Sequence, residues 1–434
     1  MPIIIYNNIS KLIILQFICI IYFGNIQASN FKVTLTETLS NNPDVKASYY
    51  NYKSYLDGKF ATIGPYLPQI ELNYDYKIED IGHVNSGFAD NYETNTYSID
   101  FKQKLLVPEI APLIKKTKLA TESARFEYEK IKSETILDLI NTIILIQTLF
   151  QQLEFEENNT KLNDNLYKVA KLKSKNGLIS EIDLLQAKTE YLRAKSNFMD
   201  INKDLNIAKS RFTQITGTQY QHSYNLEQFM IETDFILENI ISETFINNYQ
   251  SILALNLLNQ AKAQNKIEKS NYFPSANLFY TYNKSRGRYS YFTNDDSSNS
   301  DVVYGVKINV PIFTSFTTTS EVISSQDKVL QQEYLYNSLK NNITQELTKL
   351  IEMLNVFNEL KKEHKSYVEY AEKSYEAIKK QYEAKLKDIT YLLDAQNTLL
   401  DARSKLNETN AKILKNYFAI IFLTGKLNED FFAQ

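Results

Sequence analysis

Several residue types that shape ordinary globular proteins are scarce in this chain. Its 434 residues include no Trp, one Cys, eight Pro and ten Gly. Proline and glycine interrupt helices and strands, so their scarcity predicts long uninterrupted elements. The single cysteine, Cys19, excludes an intramolecular disulfide and a site built from paired thiolates.

The chain also lacks a large excess of either charge and any common catalytic motif. The formal net charge is −3, so the chain does not have the excess of basic residues that is typical of nucleic-acid-binding proteins. There is no phosphate loop, nucleophile elbow or HExxH helix. The three histidines, His83, His222 and His364, lie far apart without the spacing of metal ligands. The sequence therefore predicts no enzyme, no cofactor, no metal site and no nucleic-acid partner.

The first 28 residues have the pattern of a targeting segment. Lys11 is their only charge, the run from Leu12 to Phe23 is apolar, and a short segment ending in Ala28 follows. This order is typical of a signal peptide cleaved near Ala28, and an uncleaved anchor is the alternative. Cys19 lies within this segment, so we expect the mature chain to contain no cysteine.

The eight prolines leave two long gaps in which helices can run. No proline lies between Leu113 and Phe273, and none follows Ile312. A helix from Ile110 to Lys175 would be about 100 Å long at a rise of 1.5 Å per residue. A globular domain does not need that length, whereas a protein that crosses a wide aqueous gap does.

Four segments beside the prolines alternate apolar and polar residues. This period of two predicts strands with one apolar and one polar face. Polar loops, roughly Asp80 to Glu93 and roughly Ser285 to Ser300, join the strands in two pairs. The apolar positions are Ile70, Leu72, Tyr74, Tyr76 and Ile78; Tyr97, Ile99 and Phe101; Leu278, Tyr280 and Tyr282; and Val302, Tyr304, Val306, Ile308 and Val310.

The length of these strands suits a membrane. About ten residues allow a tilted strand to cross a bilayer with its apolar face toward lipid. A soluble sheet with one buried face would show the same alternation. If the strands do lie in a membrane, four cannot close a barrel, because open edges would leave unpaired backbone groups in lipid. Several copies of the chain would then have to share one barrel.

One helical phrase occurs twice. The segment NGLISEIDLLQAKTEYLRAK, Asn176 to Lys195, aligns with AKLKDITYLLDAQNTLLDAR, Ala384 to Arg403, after a shift of 208 positions. Each phrase carries leucines seven residues apart, the spacing of left-handed coiled coils. The predicted organisation is a signal peptide at 1–28, a first repeat at 29–217, a connector at 218–240, a second repeat at 241–425 and a tail at 426–434. Gly217 and Gly425 are predicted to end helices in the two repeats.

The order of these pieces resembles the TolC family of outer-membrane efflux and secretion channels. The resemblance rests on NNPDVKAS, on PYLPQIELNYDY and its echo NYFPSANLFYTY, on the VP pairs at Val107-Pro108 and Val310-Pro311, and on the doubled helical phrase. It covers nearly the whole mature chain. Each motif alone is weak, and their order and doubling make the match specific.

The resemblance implies a fold that is mainly α with some β. Three protomers would contribute four strands each to a β-barrel in outer-membrane lipid, and long coiled-coil helices would form a helical barrel across the periplasm of a Gram-negative bacterium. Such a homotrimer is the exit duct of a tripartite efflux pump or a type I secretion system. Its partners would be a periplasmic adaptor (membrane fusion) protein and an inner-membrane ABC or proton-driven transporter.

The resemblance also implies a gate at the periplasmic tip. Asp183 matches a latching acid, Tyr382 a latching tyrosine and Asp394 one of two ring acids. Lys387 stands where an arginine is usual, and Tyr391 takes the place of the second ring acid, so a trimer would carry three ring carboxylates rather than six. From spacing alone, Asp183 and Asp394 are more typical of ordinary exposed helix acids.

The two tip turns are the implied contact surface for the adaptor. Lys385 replaces the turn glycine in the second copy. A secreted periplasmic coiled-coil scaffold or adaptor is the alternative to a channel, but it would not explain paired alternating strands in both halves. The implied contact residues are Gly177, Leu178, Leu184, Leu185 and Ala187 in the first copy, and Leu386, Leu392, Leu393 and Ala395 in the second.

Overall fold

The computed structural model describes residues 31–82, 89–221, 224–230, 235–289 and 297–433. The predicted signal peptide, with Cys19, and the histidines His83 and His222 lie outside these residues. The helices are α1 (31–41), α2 (Pro43–Ile63), α3 (Ile110–Lys175), α4 (Glu181–Thr216), α5 (Leu237–Asn247), α6 (Tyr249–Ser270), α7 (Thr317–Glu383) and α8 (Ile389–Leu423). The strands are β1 (Gln69–Gly82), β2 (Ala89–Leu106), β3 (Ser275–Tyr289) and β4 (Ser297–Asn309).

The four strands form one antiparallel sheet in the order β1-β2-β3-β4. The prediction of long polar loops at 80–93 and 285–300 is wrong, because most of these residues continue the strands. Backbone hydrogen bonds hold an antiparallel ladder together whatever the polarity of the side chains. The ladder therefore runs past the point where apolar alternation stops.

The register places every predicted apolar position within the strands on the same face of the sheet. Tyr74 pairs with Tyr97, Phe101 with Tyr280, and Tyr280 with Tyr304. Side chains of directly paired residues project to the same side. Many of these residues are more than half exposed, and Leu72 and Tyr304 reach 75%. Nothing in the described part of the chain covers this face.

The described chain divides into two compact units. One comprises the described residues up to Tyr49 together with Glu127–Ile252 and Leu339–Gln434, and the other comprises Tyr50–Phe126 and Leu253–Ser338. Each unit takes residues from both copies of the repeat, so neither corresponds to one repeat. The sheet belongs to the second unit.

The first unit contains the main hydrophobic core. Ile140 and Ile143 of α3, Phe212 of α4 and Phe418 of α8 are almost fully buried in it. Phe31 and Phe432 close one side, with ring centroids 5.0 Å apart. By length and composition, α3 is the one described helix that could cross a membrane. Several of its isoleucines are buried in this core.

A pair of asparagines repeats the same contact in both copies. The amide of Asn42 donates to the carbonyl of Ile215 (3.3 Å), and the amide of Asn248 donates to the carbonyl of Leu423 (2.8 Å). Each side-chain oxygen also accepts from backbone N–H groups that follow it, as a helix cap does. Each asparagine therefore starts a helix while binding the end of another, beside the predicted helix-ending glycines.

Candidate functional site

The two tip turns have the same backbone structure. In the first, the N–H of Leu178 bonds to the carbonyl of Lys173 (2.9 Å), and in the second the N–H of Leu386 bonds to the carbonyl of Gln381 (2.8 Å). Gly177 and Lys385 both adopt left-handed φ angles, of 69° and 62°. Each turn is thus a Schellman motif, a common way for a helix to end. Lys385 keeps the turn in spite of its Cβ atom.

The helices that leave the turns begin differently. At the start of α4, the side chain of Ser180 accepts from the N–H of Asp183 (3.1 Å), and the carboxylate of Asp183 accepts from the N–H of Ser180 (3.2 Å). This reciprocal pair is a capping box. At the start of α8, Asp388 makes no side-chain cap bond. The carboxylate predicted to latch the entrance therefore holds the start of its own helix in this structure.

The tip helices pack on one another through a small apolar cluster. Its buried part consists of Leu166 and Ala170 of α3, Ala187 of α4, and Ile389, Leu392 and Leu393 of α8. Hydrogen bonds join α4 to α8 beside it, from Thr390 to Gln186 (3.1 Å) and from Asn397 to Glu190 (3.4 Å). Tyr375 packs against this cluster, and burial raises the pKa of its phenol above the ordinary value. The cluster joins both copies of the doubled phrase.

This packing divides the predicted adaptor contacts into two groups. The side chains of Ala187, Leu392, Leu393 and Ala395 are at least nine-tenths buried within the chain, so they offer little surface to a partner. Three leucines remain well exposed: Leu178 at 70%, Leu185 at 56% and Leu386 at 76%. Leu184 is half-buried, and Gly177 is exposed. The surface available to a partner is formed by the turns and the first helical turn of α4.

The predicted gate residues lie near the tips, and the structure brings only Lys387 and Tyr391 together among the described residues. Asp394 is exposed and Tyr391 is half-exposed. The ammonium of Lys387 lies 4.0 Å from the ring centroid of Tyr391, and Lys173 lies 5.3 Å from that of Tyr382. Within the described residues, no hydrogen bond or ion pair joins any two of the five. Their role in a gate stays a prediction.

A buried polar layer between α3 and α8 is absent from the sequence-based predictions. Glu156, Asn159 and Asn163 of α3 and Gln396 of α8 are all at least nine-tenths buried. Asn159 donates to Glu156 (3.0 Å) and accepts from Gln396. The signal in the sequence is a set of polar residues at helical spacing, which also fits an exposed face. Only the packing shows that they lie inside.

The sheet is the second candidate region. Its polar face carries Asn73, Asp75 and Lys77 on β1 and Asp100 on β2, where the carboxylate of Asp100 accepts from Thr281 (2.7 Å) and Asn73 (3.2 Å). Water suits the charged face, and a hydrocarbon phase suits the exposed apolar face.

Sequence comparison identifies the family. The profile of the outer membrane efflux protein family matches residues 34–218 and 246–426, which together make up most of the chain. The chain belongs to the outer membrane efflux protein family. It is accordingly a protein of the outer membrane, from a family of efflux channels. The two matched segments correspond closely to the two repeats.

Known proteins of this kind resemble the chain along most of its length. Outer membrane protein TolC of Salmonella enteritidis is 21% identical over 359 residues, which cover 81% of this chain and 73% of TolC. The CmeC outer membrane channel of Campylobacter jejuni has a TM-score of 0.79 at 13% identity, covering 92% of this chain and 86% of CmeC. VceC of Vibrio cholerae has a TM-score of 0.76 at 12% identity, covering 92% of this chain and 96% of VceC. These structures show that the fold is that of TolC-like channels.

Proposed function

We propose that the protein is the trimeric exit duct of a tripartite efflux pump or a type I secretion system. The observation that carries the proposal is the sheet, whose broad apolar face is exposed and whose edge strands, β1 and β4, have no further partner among the described residues. In lipid such edges must pair, and four strands are too few to close a barrel. Three copies would supply twelve strands, enough for a water-filled lumen.

The heptad face of α4 supports association of several copies. Leu192 and Met199 continue the seven-residue spacing of the doubled phrase and are 52% and 62% exposed. At the matching positions of the second copy, Leu400 is half-buried and Asn407 is buried against other helices of the same chain. The described residues thus leave the copy of this face on α4 uncovered. A neighbouring protomer would cover it.

The tips would form the periplasmic entrance in this assembly. Three chains with two tips each present six nearly identical turns, to which a ring of adaptor hairpins could bind through Leu178, Leu185 and Leu386. Inside the ring, Asp394 would face the constriction, and the tyrosines and Lys387 would hold the helices closed. Transport through such a conduit requires no catalytic residue.

Single-channel conductance in a planar bilayer tests this proposal. We expect the wild-type trimer to show a small conductance that prefers cations, because three carboxylates of Asp394 would concentrate cations at the constriction. Asp394→Asn should remove most of that preference. Asp401→Asn is the matched control, because Asp401 lies on the same helix but is bound to Lys405 at 2.8 Å.

Each outcome bears on a different part of the proposal. An unchanged ion preference in Asp394→Asn would keep the duct and remove Asp394 from its constriction. Equal effects of the two variants would assign the preference to the general charge of α8. A wild-type protein that gives no conductance and no detergent-stable trimer would overturn the duct itself.

A further inference from the structure

Two basic residues interrupt the apolar face of the sheet near one end. Lys284 and Arg286 of β3 are two positions apart, so both project to the side that carries Tyr280 and Tyr282, about 7 Å from each other. Both are exposed, and no ion pair to either occurs among the described residues. Among the residues of this face whose side chains the structure describes, they are the only basic ones, and Glu93 is the only acidic one.

The register shows what surrounds them. Lys284 lies across from Tyr97 of β2 and Ser300 of β4, and Arg286 lies across from Asn95 and Ser298. In the same two rows, Tyr74 stacks obliquely on Tyr97, with ring centroids 4.8 Å apart, and donates a hydrogen bond to Asn95 (2.8 Å). Tyrosines, hydroxyl groups and an amide therefore surround two cations that form no ion pair with the described part of the chain.

The chain connections show where Lys284 and Arg286 lie along the strands. The helices join the sheet at Gln69, Leu106, Ser275 and Asn309, and the basic rows lie toward the opposite strand ends. In the duct proposed above, on which this inference rests, the helices are periplasmic. The opposite ends then point out of the cell, and the tyrosines mark the boundary between hydrocarbon and headgroups, as aromatic girdles do.

We propose that Lys284 and Arg286 bind the phosphate groups of a glycolipid in the outer leaflet of the outer membrane. A cation that faces lipid is costly unless its charge reaches an anionic headgroup at the interface. Arg presents a planar fork of donors to phosphate, and Lys adds a point charge beside it. The serines and Asn95 offer further hydrogen bonds to sugar hydroxyls. Glu93, one row farther toward the strand ends, is the one described acid on this face.

The charge pattern favours a bound anionic lipid over contact with cargo. Cargo would pass along the polar face, where Lys77, Lys102 and Lys307 alternate with acids and two of the three are ion-paired, Lys77 with Glu79 and Lys102 with Glu71. Among the described residues, no carboxylate forms an ion pair with either cation on the outer face. An anionic group of a membrane lipid would neutralise their charge.

The test measures binding of bisphosphorylated lipid A to the purified trimer in a neutral detergent. We expect Lys284→Ala and Arg286→Ala each to weaken binding about fivefold, and the double variant on the order of twentyfold, since each basic residue near an anionic lipid surface contributes a similar increment. The matched control is Lys77→Ala with Lys307→Ala, which removes two cations from the opposite face of the same sheet. This control should leave binding unchanged.

Two further lipids identify the source of the phosphate. Lipid A without its phosphates should bind at least tenfold more weakly than the bisphosphorylated form, and phosphatidylglycerol, an anionic lipid without the sugar core, should bind more weakly as well. Equal binding of dephosphorylated lipid A, equal losses in the double variant and the control, or tighter binding of phosphatidylglycerol would each overturn the proposal. Conductance of the same preparations separates the lipid-site proposal from the duct proposal.

Channels that conduct but show no selective lipid binding would refute the lipid site alone. Protein that never conducts would refute the duct.

Discussion

At the scale of single residues, the second tip turn accepts a strain that the first avoids. Lys385 adopts a left-handed φ of 62° without being a glycine. For a residue with a Cβ atom this conformation costs roughly 1–2 kcal/mol. The turn keeps its hydrogen bonds in both copies, while its charges differ. A partner that binds all six tips of a trimer would therefore have to contact the shared backbone and leucines rather than the charges.

The capping box at the start of α4 leads to a prediction about Asp183. Ser180→Ala and Asp183→Ala each remove one half of the box and should each destabilise the start of α4 by about 1 kcal/mol. If Asp183 acts on the entrance by fixing this helix start, both variants should raise single-channel conductance to a similar extent.

Ser180→Ala is the informative control, because it leaves the carboxylate of Asp183 in place. A rise in conductance in Asp183→Ala alone would show that this carboxylate latches the entrance directly. Amide hydrogen exchange of the first turn of α4 reports the loss of the cap independently, and it should increase in both variants.

At the scale of whole elements, the asparagine contacts are the same in the two copies. The free space around the neighbouring glycines, however, differs between them. Gly217 and Gly425 have similar φ angles, of 75° and 73°. A Cβ atom on Gly217 would meet nothing within 4 Å, whereas one on Gly425 would lie 2.2 Å from the carbonyl oxygen of Asn247. Gly425 is thus required both by its conformation and by a close approach of another helix end.

This difference gives a paired prediction. Gly217→Ala should destabilise the protein by about 1–2 kcal/mol, the cost of the left-handed conformation alone. Gly425→Ala should cost about 1–3 kcal/mol more, because the backbone around Asn247 must move. Thermal unfolding of the two variants in the same detergent compares them. Equal shifts in the unfolding temperature would show that the backbone at the end of α5 can move at little cost in free energy.

The elements also show where sequence reasoning succeeds and where it stops. Period-two alternation places Tyr74 and Tyr97 on one face, and the register confirms it. Alternation does not locate the strand ends, since β1 pairs through to Gly82 by backbone bonds. Heptad spacing likewise marks Leu185 and Leu393 as equivalent, but one is exposed and the other buried. The pattern identifies an apolar face, whereas tertiary packing decides which face the chain covers itself.

At the scale of the whole molecule, the exposed heptad face of α4 predicts how the trimer is held together. Leu192→Asp should weaken the trimer, because each protomer would lose the burial of one leucine, about 1.5–3 kcal/mol, and would have to desolvate a charge. Leu192→Met keeps the apolar volume and should leave the trimer intact. Light scattering after size-exclusion chromatography in detergent measures the mass of both.

Circular dichroism should show the same helix content in both variants, because Leu192 is 52% exposed within the chain. A Leu192→Asp protein that remains fully trimeric would place this face against solvent. The outcome then separates association of protomers from folding of each one.

The order of strands in the sheet has a consequence for the timing of biosynthesis. The central pairing joins β2 to β3. The backbone of Tyr92 pairs with that of Tyr289, and the backbone of Lys102 with that of Phe279, so the paired residues are separated in sequence by about the length of one repeat. Contacts between residues so distant in sequence form slowly. When the first hairpin leaves the ribosome and is translocated, its partner strands do not yet exist. Until the second repeat arrives, the outer edges of the β1–β2 hairpin lack their partner strands and are open to pairing with other chains.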